Sequence, residues 1–360
     1  MTAIPAAAGL VYGALRGVVT AFVALPPRLQ DIVAAGQPGS LDGLELAPEV
    51  RLALAVLNRF AGAPMETLEP AAARRQIASE ARLFAGAEIT MAAVENRSIA
   101  GPAGSLPVRI YRAHAPDATR PEPLVVYLHG GGWVTGDLDT HDPVCRYLAR
   151  EARCVVMAVD YRLAPEHPFP AALDDAVAAF RWAVANAASL GVDASRIAVA
   201  GDSAGGNLSA AVAQATAADG GPAPALQVLI YPVTDLSTKH ASYRTFADGY
   251  FLTEAQMDWY RSHYIGDADG SDPRVSPLLA AADDLAAVAP AYVTTAGFDV
   301  LRDEGEAYAR ALEAAGVATT LVRHDGLIHG WVNAIALGHT PARAGAQLAA
   351  AVREGLAAAP

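Results

Sequence analysis

A serine set between glycines is the first feature of this sequence that could do chemistry. Gly201-Asp202-Ser203-Ala204-Gly205 follows an apolar strand-like run and precedes a helical pattern. This strand–turn–helix context is what the pattern G-x-S-x-G needs, because the glycines let the backbone turn sharply and expose the serine hydroxyl. The start of the helix behind Ser203 favours developing negative charge. The sequence therefore predicts Ser203 as a nucleophile, with a purely structural turn as the alternative.

Three consecutive glycines form a second candidate element. Residues His129 to Trp133 read HGGGW and directly follow another apolar strand-like run. Backbone N–H groups without a neighbouring side chain can converge on an oxyanion, so those of Gly131, Gly132 and Ala204 are predicted to form an oxyanion hole. A dinucleotide-binding turn is excluded, because its G-x-G-x-x-G pattern would need a glycine at position 135. His129 is expected to hold this loop rather than to act as a base.

A serine nucleophile needs a general base, and the base needs a carboxylate that orients it. On a strand–turn–helix site of this type the order along the chain is Ser, then Asp or Glu, then His. His329 lies between glycines in a short loop after the last predicted strand and is the preferred base, with His324 the next candidate. Asp299 follows a predicted strand and is the preferred acid, with Asp303 as the alternative.

These candidates lie on elements that alternate between strand and helix. Unbroken apolar runs suit parallel strands that are covered on both faces, and the alternation favours a doubly wound α/β sheet. The predicted strands are Ile89–Asn96, Val108–Tyr111, Leu124–Leu128, Cys154–Val159, Ile197–Ala200, Leu226–Tyr231, Tyr292–Thr295 and Thr319–Arg323. The predicted helices among them are Ala171–Ala188, Ala204–Thr216, Arg302–Ala315 and Ala342–Leu356.

Two segments do not follow this alternation. Residues 1–85 are predicted to be helical, with helices beginning at Pro48 and Pro70, and residues 86–360 carry the sheet. Residues 236–285 are polar and aromatic and are predicted to be an insertion over the edge of the sheet. The apolar run Ile4 to Leu25 has Arg16 at its centre, which favours a docked amphipathic helix over a membrane span. The default location is cytoplasmic, with membrane association or export through this run as alternatives.

Composition excludes several classes of function. The chain has 360 residues, 53% of them apolar, so it can bury a large core. Its net charge of −12 and lack of a basic cluster argue against nucleic-acid binding. Lys239 is the only lysine, so there is no phosphate-binding loop of the G-x-x-x-x-G-K type. Cys145 and Cys154 are predicted to be free buried thiols, and no metal-ligand spacing occurs, so neither metal nor cofactor is expected.

Taken together, the motifs resemble those of the hormone-sensitive-lipase-like (bacterial family IV) esterases of the α/β-hydrolase superfamily. The resemblance covers about residues 45–335 and rests on His129–Trp133, Asp160–Ala172, Gly201–Gly206, Asp299–Gly305 and His329–Trp331. It implies a mostly parallel eight-stranded sheet with helices on both faces, and a helical cap built from residues 1–85 and the insertion. It also implies a Ser203–Asp299–His329 triad that hydrolyses carboxylic esters with short to medium acyl chains, and it leaves homodimerisation open.

Residues around these motifs are assigned further roles. Trp133, Asp202, Tyr231 and Trp331 are candidates for the substrate pocket, although buried aromatic residues are as often part of a core. Asp202 is also a candidate hydrogen-bond partner of the glycine loop. In the segment from Asp160 to Pro170, Arg162 is expected to pair with Asp160 or Glu166 beneath the site.

The predicted function is a serine esterase that acts on a small-molecule ester through an acyl-enzyme. An amidase, a lactonase or a small-molecule deacetylase would use the same triad, and sequence does not separate these from an esterase. The alternative from another class is a non-catalytic ligand receptor on the same fold. The presence of His329 argues against the receptor, because such a protein typically lacks the base.

Overall fold

One eight-stranded sheet forms the centre of the protein. In this computed structural model, residues 17, 21–22, 24–33, 39–60, 62–115 and 119–358 are described. A short hairpin of β1 (Ser40–Leu41) and β2 (Leu44–Glu45) precedes the sheet. The strands of the sheet are β3 (Ala93–Gly101), β4 (Gly104–Arg112), β5 (Glu122–Leu128), β6 (Val155–Val159), β7 (Val192–Asp202), β8 (Gln227–Ile230), β9 (Ala291–Phe298) and β10 (Thr319–Ile328).

The strand order is β10-β9-β8-β7-β5-β6-β4-β3. All neighbours are parallel except β4, which is antiparallel to β6 on one side and to β3 on the other. Every residue of β6, β8 and β9 is buried, which requires that both faces of the sheet are covered. The predicted fold, a mostly parallel eight-stranded α/β sheet, is therefore confirmed.

Helices connect the strands and cover the sheet. In chain order they are α1 (Pro27–Val33), α2 (Pro48–Phe60), α3 (Pro70–Phe84), α4 (Asp142–Glu151), α5 (Ala171–Ala185), α6 (Ala187–Leu190), α7 (Ala204–Ala218), α8 (Ala241–Thr245), α9 (Glu254–Tyr264), α10 (Ala282–Ala286), α11 (Arg302–Ala314) and α12 (His339–Ala357). Short 3-10 helices lie at Met65–Thr67, Pro277–Leu279 and Trp331–Ala334. Both Cys145 and Cys154 are free and buried.

Several predicted boundaries differ from the observed ones. Strand β3 begins at Ala93, not at Ile89, because β4 ends at Arg112, the residue that pairs with Ala93. Strand β10 continues past Arg323 to Ile328, because β9 alongside it supplies partners as far as Phe298.

The N-terminal prediction is mostly untested. The predicted amphipathic helix over residues 4–25 lies for the most part outside the described residues. Among the helices of the described part, none combines the length and the apolar character that a membrane crossing would need.

Candidate active site

Ser203 occupies a sharp turn between β7 and α7. Its φ of +56° lies in the left-handed region, which a residue with a side chain adopts at a cost of about 1–3 kcal/mol. The turn is held by the Ser203 N–H, which donates to the carbonyl of Ile230 at 2.8 Å. A Cβ atom on Gly201 or Gly205 would collide with the backbone of Leu128. The two glycines are therefore required for this turn, as the sequence pattern indicated.

Three side chains from separate loops meet at this turn. Nε2 of His329 lies 3.0 Å from Oγ of Ser203, and Nδ1 of His329 lies 2.8 Å from Oδ2 of Asp299. All three residues are buried. The second carboxylate oxygen of Asp299 accepts the N–H of Leu301 at 2.9 Å. With Nδ1–H donating to Asp299, Nε2 is left as an acceptor for the serine proton, which is the arrangement that a general base requires.

The parallel sheet explains why these residues meet. Asp299 directly follows β9 and His329 directly follows β10, while Ser203 directly follows β7. Because the carboxyl ends of parallel strands lie at one edge of a sheet, all three loops open at the same edge. The fold thus brings together residues that are up to 126 positions apart in the chain.

The alternative base and acid lie elsewhere. The ring of His324 packs against Trp331 at 5.0 Å, and burial lowers the pKa of His324 to about 4. The carboxylate of Asp303 accepts the N–H of Ser242 at 2.9 Å and pairs with Arg302. Neither residue is in hydrogen-bond contact with Ser203 or His329.

The glycine loop turns two of its N–H groups, those of Gly131 and Gly132, away from acceptors of the described residues. Gly131 and Gly132 have φ values of +116° and +58°, and both line the cavity that contains Ser203. Ala204 begins α7 directly after Ser203. Among the described residues, none accepts a hydrogen bond from the N–H of Gly131, Gly132 or Ala204. The three predicted donors are therefore available to a ligand, and an oxyanion is the kind of group that they suit.

Asp202 ties the glycine loop to the serine turn. One of its carboxylate oxygens accepts the hydroxyl of Tyr127 at 2.8 Å and the N–H of Gly130 at 3.0 Å, and His141 lies 3.3 Å from the other. Burial by itself would raise the pKa of Asp202, but His141 and these hydrogen bonds outweigh it and lower the pKa below its usual value. Asp202 also lines the cavity, so the structure places it both in the cavity wall and beneath the loop.

His129 is held inside the loop. Its ring stacks on Tyr161 at 4.2 Å, and its Nδ1 lies 2.8 Å from the carbonyl oxygen of Gly130. Burial lowers the pKa of His129 to about 4, with the neighbouring His141 contributing in the same direction. The ring is therefore neutral at pH 7 and fills the space under the loop.

The structure corrects the predicted partner of Arg162. Its guanidinium binds both carboxylate oxygens of Asp175 on α5, each at 2.9 Å, instead of Asp160 or Glu166. Glu166 binds Arg74 on α3 at 2.8 and 2.6 Å. The prediction favoured partners close in sequence, whereas the partners found lie on helices that the fold packs against this segment.

A cavity of about 290 Å³ opens above Ser203 and His329. The glycine loop and Trp133 form one wall, and the indole of Trp133 stacks on Tyr264 at 4.1 Å. The other walls come from α2, α3 and residues 248–260. Sequence motifs gave no signal for most of these residues, which include Leu57, Met65, Glu80, Leu252, Met257 and Tyr260.

Two of the predicted pocket residues lie outside the wall of this cavity. The ring of Tyr231 packs against the imidazole of His329 at 4.5 Å and lines neither this cavity nor its neighbour. Trp331 meets Tyr231 edge-on and lines a neighbouring cavity of about 50 Å³, which shares Leu57 and His329 with the first. Tyr231 therefore supports the imidazole of His329 directly, and Trp331 packs against Tyr231.

Comparisons with known proteins agree with this geometry. The sequence profile of a family described as having the α/β-hydrolase fold matches residues 125–333. Carboxylic ester hydrolase LipN of Mycobacterium tuberculosis is 44% identical over 338 residues, which cover 91% of this chain and 88% of LipN. Ethyl acetate hydrolase of Pseudomonas putida is 44% identical over 283 residues, which cover 77% of this chain and 88% of that relative.

Solved structures are similar as well. An ester hydrolase from the metagenome of Lake Arreo, solved with a bipyridine phosphonate derivative, superposes with a TM-score of 0.81 at 44% identity. The match covers 86% of this chain and 98% of that one. This chain belongs to the α/β-hydrolase superfamily and, within it, to the hormone-sensitive-lipase-like carboxylesterases.

Proposed function

We propose that this protein hydrolyses carboxylic esters with short to medium acyl chains through an acyl-enzyme on Ser203. The observation that carries the proposal is the pair of contacts at His329, 3.0 Å to Oγ of Ser203 and 2.8 Å to Oδ2 of Asp299, in a cavity lined by Gly131 and Gly132. The names of the related ester hydrolases support the same chemistry, and that of the Pseudomonas putida relative denotes a short ester.

The first half of the reaction forms the acyl-enzyme. Nε2 of His329 takes the proton of Ser203 as Oγ attacks the ester carbonyl carbon. The carbonyl oxygen becomes an oxyanion, which the N–H groups of Gly131, Gly132 and Ala204 stabilise. The tetrahedral intermediate then collapses, the bond to the alcohol oxygen breaks, and the imidazolium of His329 protonates the leaving alcohol.

The second half returns the free enzyme. His329 takes a proton from water, the resulting hydroxide attacks the acyl carbon, and the same N–H groups stabilise the second oxyanion. Collapse expels Ser203 Oγ, which regains its proton from His329. Asp299 keeps the imidazole in the tautomer with Nδ1–H and stabilises the imidazolium that forms in each half.

A panel of p-nitrophenyl esters from acetate to palmitate tests the proposal. Wild type is expected to hydrolyse the short and medium esters and to lose rate beyond them, and Ser203→Ala is expected to be inactive on all. A preference for palmitate would contradict the chain-length assignment. Unchanged turnover in Ser203→Ala would contradict the nucleophile.

Two further measurements separate the alternatives. An organophosphonate is expected to label Ser203 covalently, and a protein that binds ligands without catalysis would not be labelled. Matched ester and amide substrates separate esterase from amidase, because an amine leaves only if it is protonated in the transition state. Faster turnover of the amide would overturn the esterase assignment.

Location, assembly and domain division remain predictions. We propose a cytoplasmic protein, a homodimer, and a cap formed by residues 1–85 together with 236–285. The cavity walls contributed by α2, α3 and α9 support the cap. Cell fractionation tests the location, and light scattering after size-exclusion chromatography tests the dimer.

A further inference from the structure

The charged side chains in the wall of the active-site cavity are of one sign. Among the described lining residues the charged ones are Glu80, Asp202 and Asp248, and none is Lys or Arg. Asp202 is fully engaged beneath the glycine loop, and Asp248 is exposed at the rim. Glu80 is therefore the half-buried carboxylate of this wall that the ester mechanism does not use.

Glu80 has few hydrogen-bond partners among the described residues for a half-buried carboxylate. It lies four residues after Gln76 on α3, so that both face the cavity from one side of the helix. Gln76 Nε2 donates to its Oε1 at 3.1 Å, and this is the hydrogen bond that Glu80 makes within the described residues. A carboxylate has about four acceptor sites, so most of its capacity is unused. Burial raises the pKa of Glu80 above its usual value, as expected for a carboxylate that no Lys or Arg of the described residues pairs with.

Glu80 is also close to the reacting centre. The aromatic ring of Tyr260 lies against Gly132 of the glycine loop. Glu80, Tyr260 and Ser203 all line the same cavity of about 290 Å³. Glu80 and the proposed oxyanion donor Gly132 therefore belong to the wall of one cavity, whose size a medium-sized ester can span.

We propose that Glu80 is a specificity-determining residue that binds a cationic group, such as a protonated amine, at the end of the ester remote from the carbonyl. The inference rests on the proposed ester hydrolysis at Ser203. A ligand ammonium would supply a positive charge and a further hydrogen-bond donor to Glu80. The net charge of −12 attracts the same class of substrate and disfavours esters that carry a carboxylate.

Matched pairs of esters test this inference. Protonated 3-(dimethylamino)propyl acetate and 4-methylpentyl acetate differ by N–H⁺ in place of C–H on the alcohol side. Protonated ethyl 4-(dimethylamino)butanoate and ethyl 5-methylhexanoate differ in the same way on the acyl side. The readout is the ratio of kcat/KM for the cationic ester to that for its neutral isostere, measured at pH 8.

The variants are Glu80→Gln and a matched control, Glu69→Gln. Glutamine keeps the shape and the hydrogen bond to Gln76 but removes the charge. Glu69 precedes α3, is exposed and makes no capping hydrogen bond with its side chain, so its variant removes the same charge outside the cavity. Glu80→Gln is expected to lower the ratio about tenfold for at least one pair, whereas Glu69→Gln is expected to preserve both ratios.

The inference is overturned if the ratio is the same in wild type and Glu80→Gln for both pairs. An unchanged ratio that comes with an equal loss of kcat/KM on the cationic and the neutral esters would mean a structural role for Glu80. Hydrolysis of p-nitrophenyl acetate and phosphonate labelling of Ser203 in the same preparations report on the proposed function separately. Active, labelled enzyme with unchanged ratios would reject the role of Glu80 alone.

Discussion

The ring of Tyr260 lies against the α-carbon of Gly132, in the space where any side chain at position 132 would have to be. The hydroxyl of Tyr260 donates to Sδ of Met65 at 2.8 Å. Helix α9 therefore packs directly onto the glycine loop through Tyr260, and the 3-10 helix at Met65–Thr67 contacts the hydroxyl of Tyr260. The shape of that loop depends on residues far from it in the chain, as well as on its own glycines.

Gly132→Ala is expected to lower kcat/KM for p-nitrophenyl acetate by about 10²–10³, the usual effect of losing one oxyanion donor. The new methyl group would collide with Tyr260, and the φ of +58° disfavours a residue with a side chain. The double variant Gly132→Ala/Tyr260→Ala removes the collision and is expected to regain part of the rate. Wild-type kinetics in the single variant would contradict this role of the loop.

Asp299→Asn is expected to lower kcat by about 10⁴, because an asparagine can favour the wrong tautomer of His329. Asp303→Asn is a matched control, since its carboxylate contacts Ser242 and Arg302 and not the imidazole. Initial rates on p-nitrophenyl butyrate compare the two. A larger loss in the Asp303 variant than in the Asp299 variant would reverse the assignment of the acid.

Asp202→Ala is expected to destabilise the protein and to lower kcat together. It leaves the buried Tyr127 hydroxyl without its acceptor, which costs about 1–3 kcal/mol, and leaves the Gly130 N–H with the longer contact to Nε2 of His141 at 3.3 Å. Thermal unfolding and kcat are measured on the same samples. Asp202→Asn keeps one carbonyl oxygen as an acceptor, so it is expected to lose less thermal stability and less kcat than Asp202→Ala does. Full activity in Asp202→Ala would show that the glycine loop keeps its shape without this anchor.

The ion pair between Arg74 and Glu166 is expected to stabilise the protein in a pH-dependent way. Hydrogen bonds from Arg74 lower the pKa of Glu166 to about 2 from its usual 4.5. Because the folded pKa is below the unfolded one, the stabilisation is complete above about pH 4.5 and is lost as the pH falls towards 2. The difference in Tm between wild type and Glu166→Gln should be larger at pH 7 than at pH 3. A Tm difference that is larger at pH 3 than at pH 7 would contradict this expectation.

Arg74→Ala is the companion variant and is expected to lower Tm more than Glu166→Gln does. The guanidinium also donates to the carbonyl oxygens of Val134 and Ala164, at 2.8 Å each, and so joins α3 to the segment after the glycine loop. Its loss leaves both carbonyl oxygens without this donor. Equal Tm values for the two variants would mean that the ion pair alone accounts for the effect.

The sequence by itself determined the sheet and the choice of three side chains for the proposed triad. Continuous apolar runs mark strands covered on both faces, and a residue that directly follows a parallel strand must lie at the carboxyl edge of the sheet. The sequence placed Ser203, Asp299 and His329 in loops after predicted strands, and their order along the chain predicted that they meet. In the structure each of them directly follows its strand. The glycines of both motifs are predicted from their pattern as well, although the atoms that leave no room for a Cβ come partly from distant residues, such as Leu128 for Gly205 and Tyr260 for Gly132.

Only the tertiary structure decided which distant residues pair with one another, because the local sequence pattern does not encode such contacts. Arg162 binds Asp175 and not its neighbours in sequence, and β3 begins at Ala93 because its partner strand ends there. The cavity wall, with Glu80 and Tyr260 facing the serine, depends on how α3 and α9 pack over the sheet edge. Helix packing fixes which face of each helix meets the cavity, and no motif records that orientation, because it results from the sum of many weak contacts between segments far apart in the chain.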